Sequence, residues 1–170
     1  MQFTLLIPLF AATLVAAAPS NEPAELYKRA DIYAVDCGGQ QYARQDVQAA
    51  FNSLVAAGGP NAQKPAAGNR AYPRQYGDNK AMPSDTEVVT ALNAIPGCEA
   101  GQTGTKYFEF PLADPVWNGG AQGSQGPDRV IAIAPNVGQG QTRSYTYCVS
   151  ITHRGGGGQG DGSFRACQNI

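Results

Sequence analysis

The chain has 170 residues, with 13 acidic side chains against 12 basic ones and a formal net charge of −1. This near-neutral balance excludes a strongly basic protein that coats nucleic acid, but it is compatible with an enzyme that contacts one or two phosphates. The length fits one domain once an amino-terminal segment is set aside.

The amino-terminal segment is predicted to serve targeting and processing. Residues 5–18 form an apolar run that is too short to span a bilayer and ends in the small residues that signal peptidase reads. Residues 19–29 are polar and end in Lys28-Arg29, a dibasic pair of the kind that processing proteases cut. We therefore expect a signal peptide at 1–18, a propeptide at 19–29 and a secreted mature domain at 30–170, with no membrane anchor after cleavage.

Four cysteines in a chain predicted to be secreted indicate two disulfides. They are Cys37, Cys98, Cys148 and Cys167. Three pairings are possible, and a nested one would close two long loops that each stabilise by roughly 4–5 kcal/mol in the chain-entropy account. No Cys/His spacing typical of zinc occurs, so we expect no metal.

The first half of the mature chain predicts one amphipathic helix at Ala43–Ala57. Its apolar residues recur at helical spacing, and Gly58-Gly59-Pro60 ends it. Residues 61–70 are rich in Pro, Gly and Asn and predict a loop. Residues 71–76 predict a short edge strand, because they contain a proline. Residues 86–95 are apolar and are compatible with either a strand or a helical turn.

The second half predicts strands separated by Gly-rich connectors. The connectors are residues 119–126 and 155–162, which lack phosphate-loop spacing. The predicted strands are Lys106–Leu112, Arg129–Ala134, Ser144–Thr152 and Phe164–Cys167. We therefore expect an α+β fold with one amphipathic helix packed on a twisted antiparallel sheet.

Three strand-like runs each place one candidate residue within or beside them: Glu109, Arg129 and His153, the only histidine. Strand alternation places Phe108 and Phe110 in the core and turns Glu109 to the other, open face. If the three meet there, the carboxylate can remove a proton, the imidazole can deliver one, and the guanidinium can hold a phosphate between them. These roles suit displacement at a phosphodiester by a neighbouring ribose hydroxyl. A solvated glutamate, a surface histidine and an arginine paired with the preceding aspartate are the structural alternatives.

Four short motifs follow one another along the mature chain. They are Tyr-Pro-x-x-Tyr at 72–76, Phe-Glu-Phe-Pro at 108–111, Gly-Pro-Asp-Arg-Val at 126–130 and Ile-Thr-His-x-Gly at 151–155. In this order they resemble the secreted fungal guanyl-specific and purine-preferring ribonucleases. The resemblance implies a helix on a four- or five-stranded antiparallel sheet. It also implies a monomer that, without metal or cofactor, cleaves single-stranded RNA through a 2′,3′-cyclic phosphate.

The resemblance also implies a role for individual residues. By position, Glu109 matches the general base, His153 the general acid and Arg129 the guanidinium that stabilises the phosphate. Tyr72 matches the tyrosine that hydrogen-bonds the phosphate, and Phe164 the late aromatic beside the active site. The implied disulfides are Cys37–Cys167 and Cys98–Cys148.

Arg74 departs from the family pattern, because the family has a histidine there that assists the base. Arginine cannot accept a proton, but it can pair with Glu109 through opposite charge. We therefore expect Arg74 to keep the electrostatic part of the histidine's role and Glu109 alone to act as the base.

Base recognition is predicted in the segment that follows the second tyrosine of the first motif. Tyr76 is the candidate stacking ring, and Asp78 and Asp85 are candidate carboxylates for the purine N–H groups, with Asn79 beside them. Glu87 is a third candidate carboxylate, and a role as plain turn residues is the alternative for each. Guanine or general purine preference is implied only by the resemblance.

Two functions of different class remain open. The first is a secreted purine-preferring endoribonuclease, which the retained Glu109, Arg129 and His153 favour. The second is a catalytically weakened ribonuclease-like secreted protein that binds RNA or a host protein, which Arg74 favours. Dinucleotide cleavage distinguishes them.

Overall fold

The computed structural model describes residues 31–59, 62, 64–77, 85–138, 141–154 and 163–170. The predicted signal peptide and propeptide lie outside these residues. The predicted α+β class is confirmed, with antiparallel sheets, two disulfides and, in the described chain, two helices.

The helices and strands are as follows in chain order. The helices are α1 (Arg44–Ala57) and α2 (Thr86–Asn93). The strands are β1 (Val35–Asp36), β2 (Gln41–Tyr42), β3 (Ala66–Ala67), β4 (Arg70–Ala71), β5 (Arg74–Gln75), β6 (Thr105–Pro111), β7 (Asp128–Pro135), β8 (Thr146–Thr152), β9 (Arg165–Ala166) and β10 (Gln168–Asn169).

The central sheet has five strands in the order β5–β6–β7–β8–β9, and every neighbouring pair is antiparallel. Its three long middle strands are almost wholly buried, because a hydrophobic cluster lies on each side of them. A bulge between Ile131 and Ala132 shifts the pairing of β7 with β8. Two smaller sheets, β10–β1–β2 and β3–β4, are formed by strands that lie before or after those of the central sheet in the chain.

Helix α1 matches the predicted helix and covers one face of the sheet. Asp46 accepts the backbone N–H of Ala43 at 2.8 Å and so stabilises the first turn. The predicted apolar stripe is buried, with Leu54 at its centre. The helix ends at Ala57, and a Cβ on the next residue, Gly58, would overlap with the ring and hydroxyl of the buried Tyr145, so a larger residue there requires Tyr145 to move.

Helix α2 corrects the prediction of a single helix. Residues 86–95 could not be assigned from sequence, because a ten-residue segment with β-branched side chains suits a strand or a helix. Val88 and Leu92 are four residues apart, both are buried, and they pack in the cluster on the opposite side of the sheet from α1. The sheet is therefore covered by a helix on each face.

The predicted strands of the second half are found with small shifts at their ends. The predicted edge strand at 71–76 is reduced to β5, which does form the edge of the central sheet. The predicted loop at 61–70 contains β3, because Gly68 and Asn69 make a two-residue hairpin turn between β3 and β4. The predicted connector at 155–162 lies outside the described residues.

Both predicted disulfides are confirmed. Cys37 bonds Cys167 across 130 residues, and Cys98 bonds Cys148 across 50. Two disulfides are typical of an extracellular or otherwise oxidising environment. Within the described ranges, none of the helices has the length and apolar character needed to cross a membrane.

Candidate active site

Cross-strand pairing places charged residues from three strands on one face of the central sheet. Directly paired residues of antiparallel strands share a face, and so do residues two apart on one strand. Arg74 of β5 pairs with Glu109 of β6, and Glu109 pairs with Ile131 of β7. Arg129 precedes Ile131 by two residues. Arg74, Glu109 and Arg129 therefore lie on the same side of the sheet.

His153 and Phe164 lie on this face as well, beyond β7. Ile151 of β8 pairs with Arg129 on one side and with Ala166 of β9 on the other. His153 and Phe164 are each two residues away from that row. Their rings are in contact, with centroids 3.5 Å apart and planes inclined by 34°. The structure therefore brings the predicted general acid and the predicted late aromatic together.

One ring nitrogen of His153 is held by the backbone. Its Nδ1 lies 3.0 Å from the carbonyl oxygen of Ser163. Because a carbonyl oxygen only accepts, Nδ1 carries the proton and Nε2 is the nitrogen that can exchange one with a substrate. His153 is exposed, so solvent and ligands can reach it.

The face that carries these residues is not the open face that the sequence predicted. Phe108 and Phe110 do face the α1 side, as alternation indicated. On the other side, however, α2 packs against β8 and β9, and Glu109 and Arg129 are 0% and 5% exposed. Glu109 is therefore a buried carboxylate, which is costly unless it is paired.

Arg74 pairs with this carboxylate. Its Nε donates a hydrogen bond to Oε1 of Glu109. The Arg74 side chain is 37% exposed, so it links the buried carboxylate to the surface. Oε2 of Glu109 is buried and has no hydrogen-bond partner among the described residues. One carboxylate oxygen is thus fixed by the guanidinium, while the other keeps its capacity to accept a proton.

Backbone carbonyl groups fix the guanidinium of Arg129. Its Nη1 donates to the carbonyl oxygens of Gln125, Gly126 and Asp128 at 3.1, 2.7 and 2.8 Å. Its Nε is buried and lacks a partner within the described part of the chain. These three acceptors are neutral, so the guanidinium can still attract an anion.

The ring of Tyr72 lies near both arginines. Its centroid is 5.8 Å from the guanidinium carbon of Arg74 and 5.7 Å from that of Arg129. These distances allow cation–π attraction. Trp117 and Phe110 pack edge-on against the same ring at 5.3 and 6.3 Å. Tyr72 is fully buried, and its hydroxyl has no partner among the residues that the structure describes.

Four buried polar atoms have no partner among the described residues, and three of them belong to the residues described above: the hydroxyl of Tyr72, Oε2 of Glu109 and Nε of Arg129, the fourth being Nε of Arg143. Leaving one such atom unpaired costs about 1–3 kcal/mol, so each of them requires an explanation. Of the three, two are donors that suit anionic oxygens, and one is an acceptor that suits a hydroxyl. The arrangement can bind a group that carries anionic oxygens beside a hydroxyl.

Tyr76 and Asp85, both predicted to bind the base, are bonded to each other. The Tyr76 hydroxyl donates to the Asp85 carboxylate at 2.5 Å, and the Tyr76 ring meets Phe164 edge-on at 5.6 Å. Burial, followed by the bond to Asp85, raises the pKa of Tyr76 well above its ordinary value. Because Asp85 immediately precedes α2, this pair fastens the helix to the edge of the site.

The remaining base-binding candidates stay predictions. Glu87 is exposed on α2, and Asp78 and Asn79 lie outside the described residues. The structure therefore does not identify the residues that would recognise guanine or another purine.

Two further residues adjoin the site, and their partners are not predicted from the sequence. Trp117 is a buried core aromatic that packs against Tyr72. Asp128 is fully buried and forms an ion pair with Arg154, not with the side chain of Arg129 beside it. Strand alternation excluded the pairing with Arg129, but no local signal indicates Arg154, which lies 26 residues away.

The described residues contain no group of three His, Cys, Asp or Glu side chains that could hold a metal ion. No protein-family model matches the chain, and no curated protein matches it either. The function is therefore proposed from the geometry of the site and the four sequence motifs.

Proposed function

We propose that the protein is a secreted endoribonuclease that cleaves single-stranded RNA after guanine, or after either purine, through a 2′,3′-cyclic phosphate. The observation that supports this proposal is that three buried polar atoms have no hydrogen-bond partner among the described residues. A phosphodiester beside a ribose 2′-hydroxyl provides a partner for each of them. Its anionic oxygens can accept from Arg129 Nε and from the Tyr72 hydroxyl, and its hydroxyl can donate to Glu109 Oε2.

In the first step, Glu109 removes the proton of the 2′-hydroxyl, and the 2′-oxygen attacks phosphorus. The bond from phosphorus to the 5′-oxygen of the next nucleotide breaks, and protonated His153 gives that oxygen a proton. Arg129 and Tyr72 stabilise the negative charge that grows on the phosphoryl oxygens. Each proton transfer typically contributes about 10²- to 10⁴-fold in rate.

In the second step, the two proton carriers exchange roles. His153 takes a proton from water, and the oxygen of that water attacks the phosphorus of the cyclic ester. The bond to the 2′-oxygen breaks, and Glu109 returns the proton to it. The product is a 3′-phosphate with a free 2′-hydroxyl, and both side chains regain their starting states.

Arg74 orients the base in this scheme. Its Nε fixes Oε1 of Glu109, so Oε2 is the oxygen left for the substrate. Its charge replaces that of the family's histidine, but it cannot take up the proton, and Glu109 is the only base. The Glu109 side chain is buried and that of Arg74 is partly exposed, so Arg74 links the base to the surface of the protein.

Secretion is the proposed location, supported by the two disulfides and by the apolar amino-terminal run. Sequencing of the mature protein from culture medium tests it. We expect the amino terminus near Ala30; an intact Lys28-Arg29 in the secreted chain contradicts the proposed processing site.

Cleavage of the dinucleotides GpC, ApC and UpC in the presence of EDTA tests the activity. We expect a 2′,3′-cyclic purine nucleotide and cytidine from GpC, or from both purine substrates, and none from UpC. His153→Ala is the matched control, because it removes the acid and leaves the buried ion pair intact. Its activity should fall about 10²- to 10⁴-fold. No cleavage of any substrate, or equal cleavage by the control, contradicts the proposal.

The Arg74–Glu109 ion pair favours a second candidate, a catalytically weakened ribonuclease-like protein that binds RNA or a host protein. A guanidinium that holds a buried base can also block it. Arg74→His distinguishes the two, with Arg74→Lys as a control that keeps the charge but not the planar fork. A gain of more than about tenfold in Arg74→His, on the scale of one general-base contribution, supports the weakened enzyme. An equal or lower rate supports Arg74 as part of the catalyst.

A further inference from the structure

Asp128 lies on the opposite side of β7 from Arg129, and the proposed chemistry does not use it. It is fully buried, and its carboxylate accepts hydrogen bonds from three side chains. Oδ2 accepts from the hydroxyl of Tyr42 at 2.7 Å and from Nε of Arg154 at 3.1 Å. Oδ1 accepts from the hydroxyl of Thr152 and from Arg154 Nε at 3.3 Å. A buried carboxylate with these donors is held in one orientation.

Two of the three donors flank His153 in the chain. The hydroxyl oxygen of Thr152 also accepts the backbone N–H of Arg154 at 2.9 Å. The backbone N–H of His153 donates to the carbonyl oxygen of Pro127 at 3.2 Å. The short segment 152–154 is therefore fastened on both sides of His153 to Pro127 and Asp128.

The backbone of Asp128 also contacts the phosphate-binding arginine. Its carbonyl oxygen accepts Nη1 of Arg129 at 2.8 Å and the N–H of Leu112 at 2.9 Å. One residue thus holds the segment that presents the imidazole and contacts the guanidinium directly. Both groups have to address the same phosphate in the proposed reaction.

We propose that Asp128 is a positioning residue, which holds the 152–154 segment through Thr152 and Arg154 so that His153 is aligned with Arg129. This role rests on the proposed function, because only a reaction that uses both groups at once requires their alignment. A shift of about 1 Å in a reacting group can cost on the order of 10²-fold in rate. The carboxylate does not touch the substrate and acts only through its neighbours.

Asp128→Asn tests the role most directly. It keeps the shape of the side chain, but it accepts at one oxygen only and loses the charge that pairs with Arg154. We expect kcat on GpC to fall about 10- to 100-fold, because the imidazole is misplaced. KM should stay within about twofold, since the substrate-binding groups remain in place.

Tyr42→Phe is the matched control. It removes a hydrogen bond to the same carboxylate from a donor outside the 152–154 segment. The control should lower the melting temperature, as loss of a buried hydrogen bond does, and leave kcat within about twofold. If Asp128 were merely structural, the two variants would change kcat alike once matched for folded fraction.

The single histidine provides a readout that does not depend on activity. The ring contact with Phe164 at 3.5 Å should give strong nuclear Overhauser effects between the two rings in the wild type and in Tyr42→Phe. In Asp128→Asn these effects should weaken, and the imidazole signals should broaden or double. Thr152→Val, which breaks one link to the segment, should behave the same way and serves if Asp128→Asn does not fold.

Intact ring–ring effects together with a kcat equal to that of Tyr42→Phe would overturn the positioning role. A wild-type protein that cleaves no RNA overturns the proposed function instead. In that case the ring–ring effects still decide whether Asp128 holds His153 in place.

Discussion

The two faces of strands β6–β8 carry different kinds of residues on one backbone. On the α1 face lie apolar side chains such as Phe108, Phe110 and Val130. On the other face, Glu109 and Arg129 alternate with them along the same strands and are equally buried. The first face supplies hydrophobic stabilisation, and on the second Glu109 and Arg129 each keep one buried polar atom that has no partner among the described residues. The sheet thus stabilises the fold on one side and, in the proposed function, orients the catalytic groups on the other.

The two helices that cover these faces are attached in different ways. Helix α1 has 14 residues and is held by a continuous apolar stripe. Helix α2 has 8 residues, which is too few to bury much apolar surface. It is fastened at its start by the Tyr76–Asp85 hydrogen bond and after its end by the Cys98–Cys148 disulfide. On the side of the candidate site, local cross-links therefore add to the hydrophobic contacts of Val88 and Leu92.

Glu109→Gln is expected to have the largest effect of these variants on activity and little effect on stability. The amide keeps the shape but cannot act as a base, so kcat should fall about 10²- to 10⁴-fold. Stability should change little, because Arg74 is partly exposed and can turn to water when its partner loses its charge. Cleavage of GpC and chemical denaturation of the same preparations measure the two quantities. Cleavage at the wild-type rate by this variant would contradict the proposed mechanism.

The parts of the fold that could be predicted are those with a long, regular pattern. Helix α1 follows from apolar residues at helical spacing, and β6–β8 from runs of β-branched and aromatic residues. Helix α2 could not be predicted, because Val88 and Val89 suit a strand equally well and the segment is short. Its helical state depends on packing against β8 and β9, which is a property of the assembled sheet.

Strand alternation predicts part of the placement of the candidate site but not its burial. It correctly separates Glu109 from Phe108 and Phe110, because it depends only on neighbouring residues in a strand. That Arg129 and His153 lie on the same face as Glu109 follows from the register between strands, which the sequence does not give. The closure of that face by α2 and the contact of Tyr72 with both arginines depend on distant segments. The ion pair of Asp128 with Arg154 is likewise a consequence of strand pairing.

Leu54→Ala should have the opposite profile to Glu109→Gln. Leu54 is fully buried on the α1 face, and its truncation should lower the free energy of unfolding by about 2–5 kcal/mol. The kcat of the folded protein should remain within about twofold, since the site lies on the other face of the sheet. Gln45→Ala, at an exposed position of α1, is the control and should change stability by less than about 0.5 kcal/mol. A large drop in kcat at full folding would mean that the two faces are not independent.

Two tyrosines on opposite faces give the smallest and most specific comparison. Burial and then the charge of Glu99 raise the pKa of Tyr107 to about 12. Burial raises the pKa of Tyr147 to about 12 as well, against the lowering effect of its hydrogen bond with Ser150. The unfolded chain loses these protons near pH 10. The folded protein therefore holds them more tightly. The contribution of these two groups to stability should be complete below pH 10 and should be lost between pH 10 and about 12.

Replacing either tyrosine by phenylalanine removes one of the protons that cause this loss. The slope of unfolding free energy against pH should then become shallower by up to about 1.4 kcal/mol per pH unit in that window.

At pH 8 the two variants should differ in their free energy of unfolding. Tyr107 donates to the carbonyl oxygens of Cys98 and Glu99 at 3.1 and 2.7 Å, and so anchors the segment that follows α2. Tyr147 interacts with one hydroxyl on the α1 side. Tyr107→Phe should therefore cost more, by about 1 kcal/mol. Equal costs at pH 8 would show that α2 does not depend on this anchor and that its disulfide suffices.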